Sequence, residues 1–140
     1  MYSEIYLDNS ATTRAYDEVI QRMDHVNREI YGNPSSLHTK GIEAERIIRK
    51  ARESIASSLG VDSKEIIYTS GGTESNNLAI RGYLDANPRK GKHVITTKIE
   101  HPSVLEVCKN LAEKGYEVDY IGVDDRGIID LTELREKIKK

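Results

Sequence analysis

The chain has 140 residues, 21 basic against 23 acidic, and a formal net charge of −2, which fits one ordinary domain able to bury roughly two-thirds of its unfolded surface. Balanced charge without a basic block excludes nucleic acid and anionic membrane as expected partners, and no apolar run is long enough to span a bilayer. Cys108 is the only cysteine, which excludes an internal disulfide and suits a reducing cytoplasm, and Met1-Tyr2-Ser3-Glu4 does not read as a signal peptide.

In chain order, Ile5-Tyr6-Leu7 reads as a short extended segment running into the polar turn Asp8–Thr13. From Asp17 the spacing of Val19, Ile20, Met23, Val26 and Ile30 is helical, and Gly32 stands where a left-handed C-cap belongs. Pro34 pushes Asn33 out of the helical region, so Asn33-Pro34-Ser35-Ser36 reads as an irregular loop. A second helix carries Ala44, Ile47, Ile48, Ala51, Ile55 and Leu59 on one face and stops at Gly60.

From there strands and helices alternate. Glu65–Thr69 reads as a strand and Thr73–Asp85 as a helix; His93–Thr97 as a strand and Pro102–Lys114 as a helix, ended by Gly115. Glu117–Val123 reads as a strand, Asp124-Asp125-Arg126-Gly127 as a turn, and Asp130–Lys139 as a helix capped by Asp130, with Glu133 completing a capping box. Such repetition predicts an α/β fold with a mainly parallel sheet covered by helices. The sheet is narrow for that class, so the chain reads as the first portion of a larger α/β protein, with residues 1–13 an extended segment and 14–140 an incomplete large domain.

In open α/β sheets ligands bind beyond the carboxyl ends of the strands. Two loops there have reactive character. The first, Ser70-Gly71-Gly72-Thr73, offers a helix N-terminus without side chains to bar a phosphate, and the Thr73 and Ser75 hydroxyls add donors. In the second, Pro102 suits the first helical position, which makes His101 the N-cap and places its imidazole at the rim, ready to stack on a ring or move a proton. A phosphate with an aromatic ring is the implied ligand; pyridoxal phosphate and nucleotides both qualify. Neither a dinucleotide fingerprint nor a Walker loop occurs. His25, His38, His93 and His101 show no metal-ligand spacing, so no metal site is expected.

Five segments together resemble the cysteine desulfurases, pyridoxal-phosphate enzymes of the class V aminotransferase group. They are Tyr6–Thr13, Gly32–Ser36, Thr69–Asn77, Glu100-His101-Pro102 and Gly127–Leu131, in family order and spacing across nearly the whole chain. The resemblance implies the first part of the large, cofactor-binding domain of a fold type I enzyme, a partial three-layer sandwich. It implies that Gly72 and Thr73 hold the cofactor phosphate, and that His101 stacks on the pyridine ring and moves protons. Ala11 would approach the substrate carboxylate, and Asn33 would lie near the active-site entrance. The implied reaction removes sulfur from L-cysteine to give alanine and an enzyme persulfide. The sulfur then passes to an acceptor such as an iron–sulfur scaffold protein, for cluster or thio-cofactor assembly, and the full-length form is expected to be a cytoplasmic homodimer.

Other features of that family are not in this sequence. The lysine that carries the cofactor follows a Ser-x-His-Lys pattern that does not occur here, and His38-Thr39-Lys40-Gly41 is a poor imitation of it. Cys108, in the helix after His101 beside Val104, Leu105, Leu111 and Ala112, reads as a buried small hydrophobe with a raised pKa, not as the sulfur-accepting nucleophile. The isolated chain is therefore expected to be inactive. A non-catalytic scaffold, half of a split enzyme, and a selenocysteine lyase relative are the alternative readings.

Overall fold

A computed structural model describes residues 4–139; Met1, Tyr2, Ser3 and Lys140 lie outside the described residues, and so does the start of the 1–13 segment. The chain divides into two compact units, Met1–Ile67 and Tyr68–Lys140.

The first unit is helical. Ile5–Leu7 is extended without a sheet partner among the described residues, and the Tyr6 hydroxyl donates to the carbonyls of Asp8 (3.0 Å) and Thr12 (3.2 Å), closing the turn that follows. Helix α1 (Asp17–Glu29) ends at Ile30, whose φ of −123° is not left-handed. Gly32 is therefore not the C-cap the sequence suggested. A Cβ there would collide with the Lys40 carbonyl, and one at Gly41 with the carbonyls of Ser36 and Asn33. The two glycines let the 32–36 loop lie directly on the start of helix α2 (Thr39–Leu59). Ile30, Ala44 and Ala56 are buried in this unit. Helix α2 stops as expected at Gly60, with φ 68°.

One expected strand is absent. Asp62 and Glu65 form a reciprocal capping box, and Ser63–Glu65 becomes a 3-10 turn; Ile66–Thr69 then runs on without pairing to any strand among the described residues. The β-branched run satisfies strand propensity, but a strand exists only where a neighbour completes its ladder.

The second unit carries the α/β pattern. Helix α3 (Gly72–Ala86) is followed by β1 (His93–Thr97), helix α4 (Pro102–Glu113), β2 (Glu117–Ile121) and helix α5 (Leu131–Lys137). Strands β1 and β2 pair in parallel, His93 opposite Glu117 and Thr97 opposite Ile121, with α4 as the connection between them. The apolar stripe of α4, with Val107, Cys108 and Leu111, is buried together with Ile121 of β2. The expected third strand of this sheet is the unpaired Ile66–Thr69 segment. Strand β2 ends two residues early, because Val123 instead bridges Ile129 across the Asp124–Gly127 turn, where Gly127 takes φ 78°. Asp130 caps α5 through Thr132 and Glu133 N–H, but Glu133 does not reach back to it. Its carboxylate accepts from Gly122 N–H at 3.1 Å, so it ties α5 to the end of β2.

Candidate functional site

The turn before α3 is held by its own side chains. The Glu74 carboxylate accepts from Ser70 N–H at 2.6 Å and from Ser70 Oγ at 2.7 Å, and these hydrogen bonds, the backbone one first, lower its pKa. The Thr69 and Ser75 hydroxyls pair at 2.6 Å, so Ser75, unlike the expectation, is engaged within the turn. The first bond between backbone groups of the turn runs from Ser75 N–H to Gly71 O at 3.0 Å, which leaves the N–H groups of Gly72, Thr73 and Glu74 without intrahelical partners. A Cβ on Gly71 or Gly72 would meet nothing within 4 Å. Gly71, with φ 164°, is extended backbone open to any residue. The chain's own packing therefore does not require these glycines; they keep the positive end of α3 bare, as an anion needs. That surface fits a phosphate group.

His101 is placed by strand β1 and helix α4. Lys98 N–H continues the ladder to Ile121 O at 3.0 Å, and Thr97 Oγ1 donates to Glu100 at 2.9 Å, fixing the short link to the helix. At φ −60° and ψ 147° His101 is the N-cap ahead of Pro102, as the sequence predicted. Its Nδ1 accepts from Ser103 N–H at 3.1 Å and lies 2.9 Å from Ser103 Oγ, which in turn receives Asn76 Nδ2 at 2.8 Å. Asn76 stands on α3 and Ser103 on α4, so one hydrogen-bonded bridge joins the two helix N-termini. An open cleft of about 300 Å³ beside them is lined by Thr73, Asn77, Arg81, His101, Ser103 and Glu106 among others. The Asn76–Ser103 bridge and the Arg81 and Glu106 walls were not legible in the sequence. The only hint was the density of polar residues in Thr73–Asn77.

Gly72, Thr73 and His101 thus belong to one unit, and Thr73 and His101 line one cleft. Ala11 and Asn33 belong to the other. Ala11 N–H donates to Asp8 O at 3.1 Å within a turn, and Asn33 Oδ1 accepts from Ser35 N–H at 2.9 Å; both residues are exposed.

The other reactive groups have structural employment. Lys40 Nζ donates to Glu29 O at 2.9 Å, at the end of α1, and lies 5.7 Å from the centre of the Tyr31 ring, a favourable place for a cation. His38 caps α2 through Gly41 N–H. Cys108 is 1% exposed, and burial pushes its thiol up, the reverse of an activated nucleophile. His93, Glu117 and Asp119 offer potential ligand atoms within 4.8 Å of one another, a grouping invisible in sequence spacing because strand register creates it. Asp119 is already bound by His93 at 2.9 Å and Lys137 at 3.0 Å, and Glu117 by Lys139. Its charges are answered within the protein.

A family model, aminotransferase class-V, matches residues 5–140, and the chain belongs to that family. It is 48% identical over 140 residues to the cysteine desulfurase IscS of Dictyoglomus turgidum, covering all of this chain and 36% of that protein. Among solved structures, a NifS-like protein superposes with a TM-score of 0.89 at 44% identity, over 94% of this chain and 36% of its own. SspA in complex with cysteine does so with a TM-score of 0.85 at 35% identity, over 93% and 38% respectively. The chain therefore spans about a third of the length of these relatives, and its α/β architecture with a parallel two-stranded sheet is part of their fold.

Proposed function

We propose that this chain furnishes the phosphate cradle and the ring-facing histidine of a pyridoxal-phosphate enzyme, a transferase that takes sulfur from L-cysteine. One observation carries the reading: within a single unit, the bare N-terminus of α3 opens at Thr73 on the same cleft as His101. Similarity to cysteine desulfurases, one of them solved with cysteine, supports the choice of substrate.

Gly72 and Thr73 hold the phosphate through their free N–H groups and the Thr73 hydroxyl, aided by the helix dipole. Glu74 sequesters the Ser70 donors, so a phosphate approaching the turn meets Gly72 and Thr73 first. Pyridoxal phosphate, when bound, supplies an electron-accepting ring. His101 would face that ring and would move protons at Nε2, because Nδ1 is occupied by Ser103 N–H. The products are alanine and an enzyme persulfide, whose sulfur goes to an acceptor protein such as an iron–sulfur scaffold, in a cytoplasmic homodimer. The chain by itself does not perform this turnover: no Ser-x-His-Lys pattern occurs in it, and the Cys108 thiol is buried.

The test is alanine formation from L-cysteine by the complete enzyme. His101→Gln should keep the fold and the bound-cofactor spectrum while slowing alanine formation on the order of a hundredfold, the scale of lost acid–base help. Turnover near wild type with normal cofactor would reduce His101 to a helix cap.

A further inference from the structure

We propose that Ser103 and Asn76 are positioning residues for His101, fixing the neutral imidazole as the Nε2–H tautomer and holding it in register with the α3 phosphate cradle. The inference rests on the role of His101 proposed above and adds the residues that set its proton geometry.

The hydrogen-bond order admits one direction. A backbone N–H only donates, so the 3.1 Å contact from Ser103 N–H makes Nδ1 an acceptor. Ser103 Oγ, 2.9 Å from the same nitrogen, must then direct its hydrogen there while its lone pair receives Asn76 Nδ2 at 2.8 Å. The sequence runs Asn76 amide to Ser103 hydroxyl to His101 Nδ1, and the ring proton is left on Nε2. Ser103 is 8% exposed, so its hydroxyl is shielded from water that would otherwise compete for these bonds. Asn77 Nδ2 donates to Thr73 O at 2.9 Å, stiffening the start of α3 beside Asn76, which reaches across.

This bridge does what a helix cap alone does not need. The backbone N–H is sufficient to satisfy an N-cap; the hydroxyl and the amide come from two helices and restrain the ring against rotation relative to Thr73. A ring displaced by even an ångström loses much of its benefit to a reacting group.

Protein labelled with 15N-histidine tests the tautomer directly, with the His101 signals assigned by their loss in His101→Gln. Wild-type His101 in its neutral form should show the Nε2–H pattern with a single ring environment. Ser103→Ala and Asn76→Ala should broaden or split that signal, and Ser103→Thr, which keeps the hydroxyl, should restore it. In the complete enzyme, Ser103→Ala should lower kcat about tenfold with KM for L-cysteine unchanged, and Ser103→Thr should recover most of it. An Nδ1–H tautomer in the wild type, or an unaltered ring signal and kcat in both alanine variants, overturns the proposal. If His101→Gln itself is harmless while the tautomer is as described, the failure belongs to the catalytic role of His101 and not to the bridge.

Discussion

Thr73 brings two kinds of donor to one place, a free N–H in the first turn of α3 and a hydroxyl on its side chain. Thr73→Val keeps the shape and removes only the hydroxyl, so it should weaken pyridoxal-phosphate binding to the complete enzyme by about 1–3 kcal/mol. Equilibrium dialysis measures this; unchanged affinity would leave Thr73 as the second residue of an ordinary helix. The sequence singles out Thr73, Gly72 and His101 as candidates because each depends on local grammar: glycines before a helix, and a proline one residue after the cap. Asn76 and Ser103 were not legible because their role arises only when two helices, 27 positions apart in the chain, present those side chains to each other. Lys40 shows the opposite case. Its neighbour His38 gave it a superficial likeness to a cofactor lysine, and only its bond to Glu29 O assigns it to the end of α1.

At the scale of elements, periodicity located α3, β1, α4 and the end of α2 within a residue or two, since each bears an amphipathic or β-branched pattern bounded by caps. It misjudged elements whose existence depends on partners. Ile66–Thr69 has strand composition and no neighbouring strand among the described residues, and Glu133 reads as half of a capping box but serves Gly122. The β1–β2 pair also carries a pH dependence. His93, first, and Lys137 hold the Asp119 carboxyl below its usual range. A carboxyl depressed on folding contributes stability above its unfolded value, about 4, and loses that contribution as pH falls through the folded value. Urea midpoints at about pH 7 and about pH 3 should therefore differ more in the wild type than in Asp119→Asn, which has no charge to lose. An equal difference in both would show that the cross-strand cluster does not contribute through this charge.

For the whole molecule, a short parallel sheet and an extensive exposed apolar surface go together. Ile5, Leu7 and Leu37 are 77%, 87% and 93% exposed. No helix among the described residues is long and apolar enough to cross a membrane. The relatives of this chain are about three times its length, and the site proposed for it rests on Gly72, Thr73 and His101. The central claim, that the α3 N-terminus and His101 together form the cofactor site, is tested most directly by a crystal structure of the complete enzyme grown with pyridoxal phosphate. The phosphate should lie within hydrogen-bond distance of the Gly72 and Thr73 N–H groups and the Thr73 hydroxyl, with the His101 ring against the pyridine. A cofactor bound elsewhere, with the first turn of α3 facing only water, would contradict it.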